Sequence, residues 1–216
     1  TSVMNGIPKE VEKKMLEYNG HITLESRQTI SNAADQVKYL ENTYSIKASP
    51  VTLAPVLMQK ENGDSEFLVA KGILPSKDQE VSKIKDWLVD KKAYNIQSNE
   101  IIISTTTAEI LKLKIGNKVL LHSPEKYKTA LTSTEPSESQ KAQEFIIANL
   151  YSSNVPDVDK HFIIIHHSAA NELMNLEKAE TMQIDIALQD PYQAEAFATK
   201  MKSDRNLRRY RITPWH

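Results

Sequence analysis

The sequence predicts an α+β fold: a split βαβ pair built from the two ends of the chain, with a β-rich insertion between them. Two observations predict it. The first is an internal repeat. Residues 21–50 (HITLESRQTISNAADQVKYLENTYSIKASP) lie over residues 185–214 (DIALQDPYQAEAFATKMKSDRNLRRYRITP) at an offset of 164 with no gaps. Ile22 meets Ile186, Leu24 meets Leu188, Ala34 meets Ala198, Lys38 meets Lys202, Asn42 meets Asn206 and Pro50 meets Pro214. The second is the order of elements. Each copy reads strand–helix–strand, whereas the middle of the chain reads mostly as short strands. The chain thus divides into residues 1–60 with 178–216, and an insertion over 61–177.

The elements follow in order. Residues 8–19 (PKEVEKKMLEYN) read as a helix: Pro8 suits the first turn, Val11, Met15 and Tyr18 share a face, and Gly20 ends it. His21–Ser26 alternates as a strand with Ile22 and Leu24 on one side. Helical spacing over Thr29–Asn42 places Ile30, Ala33, Ala34, Val37 and Leu40 together. Tyr44–Lys60 is strand-rich, with Pro50 and Pro55 read as interruptions. The turn signal ENGD (61–64) joins it to a second strand, Glu66–Leu74, as a hairpin. A helix is expected over Asp78–Val89, with Trp87 and Leu88 inward.

Further along, Glu100–Ile103 is a short apolar strand. Thr105–Leu113 is a helix that Ser104 or Thr105 can cap, and Gly116 is placed where that helix stops and the chain turns. Strands are expected at Lys118–His122, Gln143–Ser152, Asp159–His167, Met182–Leu188 and Arg209–Trp215. Helices are expected at Asn171–Leu176 and Tyr192–Ser203.

Composition excludes several functions. The 216 residues carry a net charge of −1, so no basic excess points to nucleic acid. Aromatic residues are 6% of the chain, too few for base-stacking platforms. There is no cysteine, which removes disulfides and thiolate metal sites. No stretch reaches the roughly 18–20 apolar residues of a membrane span, and the first residues (TSVMNGIPKEVEKK) contain no signal-peptide core. Both ends read as cut ends, so the natural protein is expected to continue.

Catalytic constellations are also missing. No serine lies in a G-x-S-x-G elbow, and none of the five glycines lies within three residues of another, so no phosphate-cradling loop exists. Glu61, Asp64 and Glu66 fall in a hairpin turn, where solvated acids are ordinary. His161, His166 and His167 are the one metal-like cluster. On a strand, His161 and His167 would share a face about 20 Å apart, beyond a shared ion, so ordinary histidines at strand ends is the reading. No cofactor, no metal and no enzymatic activity are expected.

Residues 124–143 (PEKYKTALTSTEPSESQKAQ) join two strands through about twenty polar residues, a length that in a compact domain is either functional or disordered. Tyr127, Ala130, Leu131 and Pro136 are the few less polar positions. A protruding arm that touches a partner is the functional reading.

Several segments together carry a resemblance. AEILKLKIGNKVLLHSP (108–124) resembles the A-x-x-L-x-L-K-V-G-D-K-V-x-L pattern of the periplasmic domains of lipoprotein-releasing ABC transporter permeases of the LolC/LolE type, with Asn117 in place of Asp. AKGILP (70–75), EIIIS (100–104), EFIIANLYSS (144–153), IDIALQDPYQAEAFATKM (184–201) and the closing TPW are similar to further segments of that family, in the same order. Ser104 and Asn149 stand where the family has Gly.

The resemblance implies a periplasmic domain carried between two membrane helices on the inner membrane. The helix at 8–19 would continue the first, and His216 would lie near the second. It implies a Porter-like βαβ pair and a Sabre-like insertion. It further implies a cytoplasmic ATPase subunit, a second permease, and lipoprotein cargo passed to a periplasmic carrier. In one permease type a hook from the Sabre-like part grips the carrier. Residues 124–143 hold that position, with Tyr127, Leu131 and Pro136 as the implied contacts. A MacB-type efflux permease, an FtsX-like permease and a free-standing periplasmic binding module remain the alternatives.

Overall fold

The computed structural model describes residues 17–91, 94–124 and 142–215. In chain order the elements are β1 (Ile22–Ile30), α1 (Ala33–Tyr44), β2 (Lys47–Lys60), β3 (Ser65–Ile73), β4 (Glu100–Ser104), α2 (Thr105–Leu111), β5 (Lys118–His122), β6 (Gln143–Tyr151), α3 (Pro156–His161), β7 (Phe162–His166), α4 (His167–Leu173), β8 (Thr181–Ala187), α5 (Ala194–Ser203) and β9 (Arg211–Pro214). Single helical turns occur at Pro75–Asp78 and Ile84–Trp87, and 3-10 turns at Pro191–Gln193 and Arg205–Leu207. The described residues fall into two compact units. One lies within Thr1–Val51, Ser76–Asp86 and Ala179–His216, the other within Thr52–Pro75 and Trp87–Lys178.

In the first unit the strands run β2–β8–β1–β9, every neighbour antiparallel. Each end of the chain contributes a strand, a helix and a strand. Ile22 and Ile186, the pair the sequence repeat superposes, are direct cross-strand partners. The axis relating the two copies therefore passes between them. Helix α1 buries Ala33, Val37 and Leu40, and α5 buries Ala194, Ala198 and Met201. Both sets join one apolar cluster with Ile22, Leu24, Ile184 and Ile186 from the strands. The helices form because these apolar positions recur at i, i+3, i+4 and i+7. Val37 and Met201, superposed by the repeat, are both core residues. Ala34 is exposed while Ala198 is buried, so that identity has no shared structural role.

In the second unit six strands pair as β2–β5–β6–β4–β7–β3, and β3 pairs back to β2. The pairing closes on itself, which makes a barrel and leaves this set without a free edge. The β3–β7 and β4–β6 pairs are parallel. Strands buried on both faces read as unbroken apolar runs rather than alternating ones. Ile101, Ile102 and Ile103 of β4 and Ile163, Ile164 and Ile165 of β7 are all fully buried, which accounts for the runs EIIIS and HFIIIHH. The apolar cluster of this unit draws on every one of its strands and on α2 and α4.

Several sequence expectations change. Strand β2 runs unbroken through Pro50 and Pro55, which occupy positions where the ladder needs no N–H donor. The helix expected over Asp78–Val89 is two single turns. Ser82 donates to Asp78 Oδ2 at 2.5 Å, and its oxygen accepts from the Ile84 amide at 3.3 Å. Short polar side chains here capture the backbone and restart the helix. Trp87 and Leu88 are buried as expected. Asp159–His167 is a helix end, a five-residue strand and a helix start, because Pro156 opens α3. The helix α2 stops at Lys112, which itself takes the left-handed conformation (φ 54°), four residues before Gly116. The helix expected at 8–19 is described only from residue 17.

Gly72 of β3 passes so close to α4 that a Cβ built on it would lie 2.2 Å from the Ala170 Cβ and 3.2 Å from the Thr52 carbonyl oxygen. Gly72→Ala should therefore destabilise by about 2–3 kcal/mol, measured as a melting-temperature drop of roughly 5–10 °C. The double variant Gly72→Ala/Ala170→Gly should recover part of that loss. An unchanged melting temperature in the single variant would show that β3 and α4 are not packed this closely.

Candidate partner-binding surface

His161, His166 and His167 are each engaged separately. His161 ends α3 with its Nδ1 2.8 Å from the Asp157 carbonyl. His166 caps α4, accepting from the Ser168 amide at 3.3 Å. His167 is buried in α4 with its Nε2 3.4 Å from Thr52 Oγ1. The shared strand face expected for His161 and His167 therefore does not exist. Among the described residues no group of three or more histidine, aspartate or glutamate side chains is arranged to hold an ion.

The segment expected as an arm begins and ends on paired strands. Leu121 of β5 faces Gln143 of β6, Leu120 faces Glu144, Val119 faces Phe145 and Lys118 faces Ile146. An ion pair of 2.8 Å between Lys118 and Glu144 lies on the same pair of strands. Tyr127, Leu131 and Pro136 lie outside the described residues.

The piece preceding the arm is tied down at every joint. Ser104 caps α2: its oxygen accepts from the Thr107 amide at 2.9 Å, and its hydroxyl donates to the Asp159 carbonyl. After Lys112 ends the helix, the Asn117 side chain accepts from the Lys114 amide at 2.8 Å. Gly116 turns with φ 89° and donates its amide to the Ile147 carbonyl at 2.8 Å. That conformation favours glycine.

The family departures noted in the sequence each have a local role. Asn117 performs the acceptor task for which an aspartate would also serve. Ser104 supplies a helix cap. Asn149 is buried beside the register shift between β4 and β6, where its amide donates to the Asp90 carbonyl at 2.7 Å and its oxygen accepts from the Leu150 amide at 2.8 Å. In QDPYQ, Asp190 accepts from the Tyr192 amide at 3.0 Å and Pro191 opens the turn into α5. Every one of these motif residues shapes backbone, and none presents a reactive group.

The surface also offers apolar side chains near this base. Ile110 on α2 and Ile115 in the following turn are 61% and 53% exposed, well above what a core residue shows. A second feature, which the sequence reading did not single out, is a polar groove of about 790 Å³ in the first unit. It is lined by one side of α1 and by the RNLRR segment (205–209) that follows α5. The signal for it in the sequence was that run of three arginines in five residues.

No family model matches the chain. The chain is homologous, at 26% identity over 203 residues and 93% of its length, to the lipoprotein-releasing system transmembrane protein LolC of Neisseria meningitidis serogroup B. It spans about half (48%) of that relative's length. Its mixed α+β fold is similar to the periplasmic region of MacB from Actinobacillus actinomycetemcomitans, with a TM-score of 0.59 and 9% identity over 96% of this chain and 94% of that one. The extracellular domain of the noncanonic ABC-type transporter YknZ from Gram-positive bacteria matches at a TM-score of 0.55 and 10% identity, over 89% of this chain and 98% of that one.

Burial holds the His167 pKa down to about 4 from the usual 6.5, and neighbouring His166 pushes the same way. The unfolded chain therefore takes up a proton near pH 6.5 that the folded chain refuses until about pH 4. The stability linked to this ring is complete above pH 6.5 and is lost as pH falls to about 4, by up to about 3 kcal/mol. His21, His122 and His166 are also lowered, so the wild-type slope alone does not isolate His167. Denaturant unfolding at stepped pH should show a shallower slope for His167→Gln than for wild type over this window. Equal slopes would contradict the assignment.

Proposed function

We propose that the chain is the periplasmic domain of an ABC transporter permease that extracts lipoproteins from the inner membrane and hands them to a periplasmic carrier. The observation that carries this reading is the similarity to LolC, which extends over 93% of the chain without being confined to one motif. Similarity of that extent is what a shared domain produces. In this reading the domain's work is mechanical and recognitive. ATP hydrolysis belongs to a separate cytoplasmic ATPase subunit, and a second permease completes the membrane part. No helix among the described residues is long and apolar enough to cross a membrane.

We read the β2–β8–β1–β9 sheet with its two helices as a Porter-like split βαβ pair, supported by the strand order and the repeat. The six-strand barrel is read as the Sabre-like part, with an arm at 124–143. The arm is proposed as the carrier contact, through Tyr127, Leu131 and Pro136. Its support is the paired β5–β6 base and the fixed α2–turn–β5 joint that precedes it. A MacB-type efflux permease is the second reading, favoured by the shared fold with the MacB periplasmic region.

Deleting residues 126–141 should leave the unfolding transition in place, because the β5–β6 pairing lies outside the deletion. The same deletion should abolish binding to a periplasmic lipoprotein carrier, measured by biosensor titration. Retained affinity would sink the arm assignment. No carrier binding by the intact chain, with binding to an efflux partner instead, would favour the MacB-type reading.

A further inference from the structure

We propose that the groove between α1 and the 205–210 segment is a binding site for a phosphate-bearing anion. Its lining includes Arg205, Arg208 and Arg209, together with Gln36, Tyr39 and Tyr210. Unlike Arg211, these arginines are not matched by acids. Arg211 pairs with Glu25, whereas no hydrogen bond or ion pair is made by Arg205, Arg208 or Arg209 among the described residues. Arg209 instead places its guanidinium over the Tyr210 ring, 4.9 Å from the centroid. This stacking orients the guanidinium while leaving its N–H donors unused.

The nearest acids offset part of this charge without pairing to the arginines. Asp204 is engaged elsewhere: its Oδ2 accepts from Tyr39 at 2.6 Å and Tyr44 at 2.7 Å, and its Oδ1 from the Asn206 amide at 2.9 Å. Asp35 is the one carboxylate in the lining. Asp204 on the Tyr39 hydroxyl, and Glu180 on the Thr29 hydroxyl at 2.7 Å, add negative charge beside the lining, so what the groove offers is unused guanidinium N–H donors rather than a large net positive charge. A second, independent feature points the same way. The Gln36 amide nitrogen is buried in this lining without a hydrogen-bond partner, while its oxygen accepts from the Tyr210 hydroxyl at 3.2 Å. A buried donor normally has a partner, and a small rotation of the Gln36 side chain toward the groove would let an anionic oxygen supply one.

The ligand chemistry follows from the arrangement. Guanidinium forks match phosphate oxygens in pairs. Three of them within five residues, lining one half-open groove, suit a compact multiply charged group better than carboxylates strung along an acidic peptide. The volume of about 790 Å³ is large enough for a phosphate ester with its alcohol attached. The inference stands on the groove alone and goes beyond the permease reading, so the two fail separately.

The test uses the 216-residue chain, labelled for NMR, titrated with inorganic phosphate and with glycerol phosphate. Sedimentation with phosphatidylcholine vesicles, with and without phosphatidylglycerol, runs in parallel. Saturable shifts at Gln36, Tyr39 and residues 205–210 are expected, and Arg205→Gln, Arg208→Gln and Arg209→Gln should each weaken binding about fivefold. Lys38→Gln/Lys202→Gln, which removes charge outside the groove, should leave binding unchanged. Binding of both soluble phosphates and phosphatidylglycerol vesicles identifies a lipid headgroup as the source. Binding of the soluble phosphates alone identifies a free phosphate ester. Absence of saturable phosphate binding, equal loss in the Lys38/Lys202 control, or a response only to a polyglutamate peptide would overturn the proposal. Arg205 and Arg208 make no side-chain hydrogen bond or ion pair among the described residues, so a matching melting temperature is expected for those variants, and Arg209→Gln, which loses the stacking on Tyr210, is compared at temperatures where it is fully folded.

Discussion

The antiparallel ladder between β1 and β8 is the contact around which the first unit is organised. It joins Ile22 to Ile186 across 164 residues of sequence. Closing a chain of that length costs about 4–5 kcal/mol in entropy on the logarithmic scaling. Ile22, Leu24, Ile184 and Ile186 are each fully buried in this ladder. At about 1.5–3 kcal/mol for each such side chain, their burial exceeds that cost. The ladder also fixes where the rest of the chain leaves and returns: Val51 pairs with Gln183, and Thr181 Oγ1 donates to the Val51 carbonyl at 2.8 Å. The segment from 52 to 178 is thus an insertion whose two ends are tied at one place in the first unit.

This constraint explains why the recognisable sequence motifs lack chemistry. Gly72 gives way to Ala170, Ser104 caps α2, Asn117 and Gly116 turn the chain into β5, and Asp190 with Pro191 starts the last helical segment. These are the positions where backbone geometry tolerates few residue types. Recognition surfaces are under no such restriction, and the proposed partner-binding role accordingly rests on side chains outside these positions and not on a reactive cluster.

Much of the path was legible in the sequence. The repeat led to the paired ends, because a strand–helix–strand unit leaves an apolar record with fixed spacing. The turn at 61–64, the cap at Ser104 and the strand at Gln143–Tyr151 follow from local chemistry that a sequence displays directly. Other features were hidden for identifiable reasons. Pro50 and Pro55 signal interruption locally, yet the ladder did not need their donors. Lys112 gives no hint of the left-handed cap it adopts, since tertiary packing sets that conformation. The apolar run around Ile163–Ile165 looked longer than the strand because a helix begins at His167 with no glycine or proline to mark it. The groove at Arg205–Arg209 depended on α1, which lies more than 160 residues away in sequence, so only the folded chain brings its lining together.

The claim that this domain rides between two membrane helices is tested most directly by sequencing the parent reading frame beyond Thr1 and beyond His216. A window on each side wide enough for a span of about 20 apolar residues is sufficient. The permease account predicts one such span shortly before Thr1 and another shortly after His216. Polar sequence or a chain terminus at both places would contradict it, and the fold would then serve a free-standing binding module.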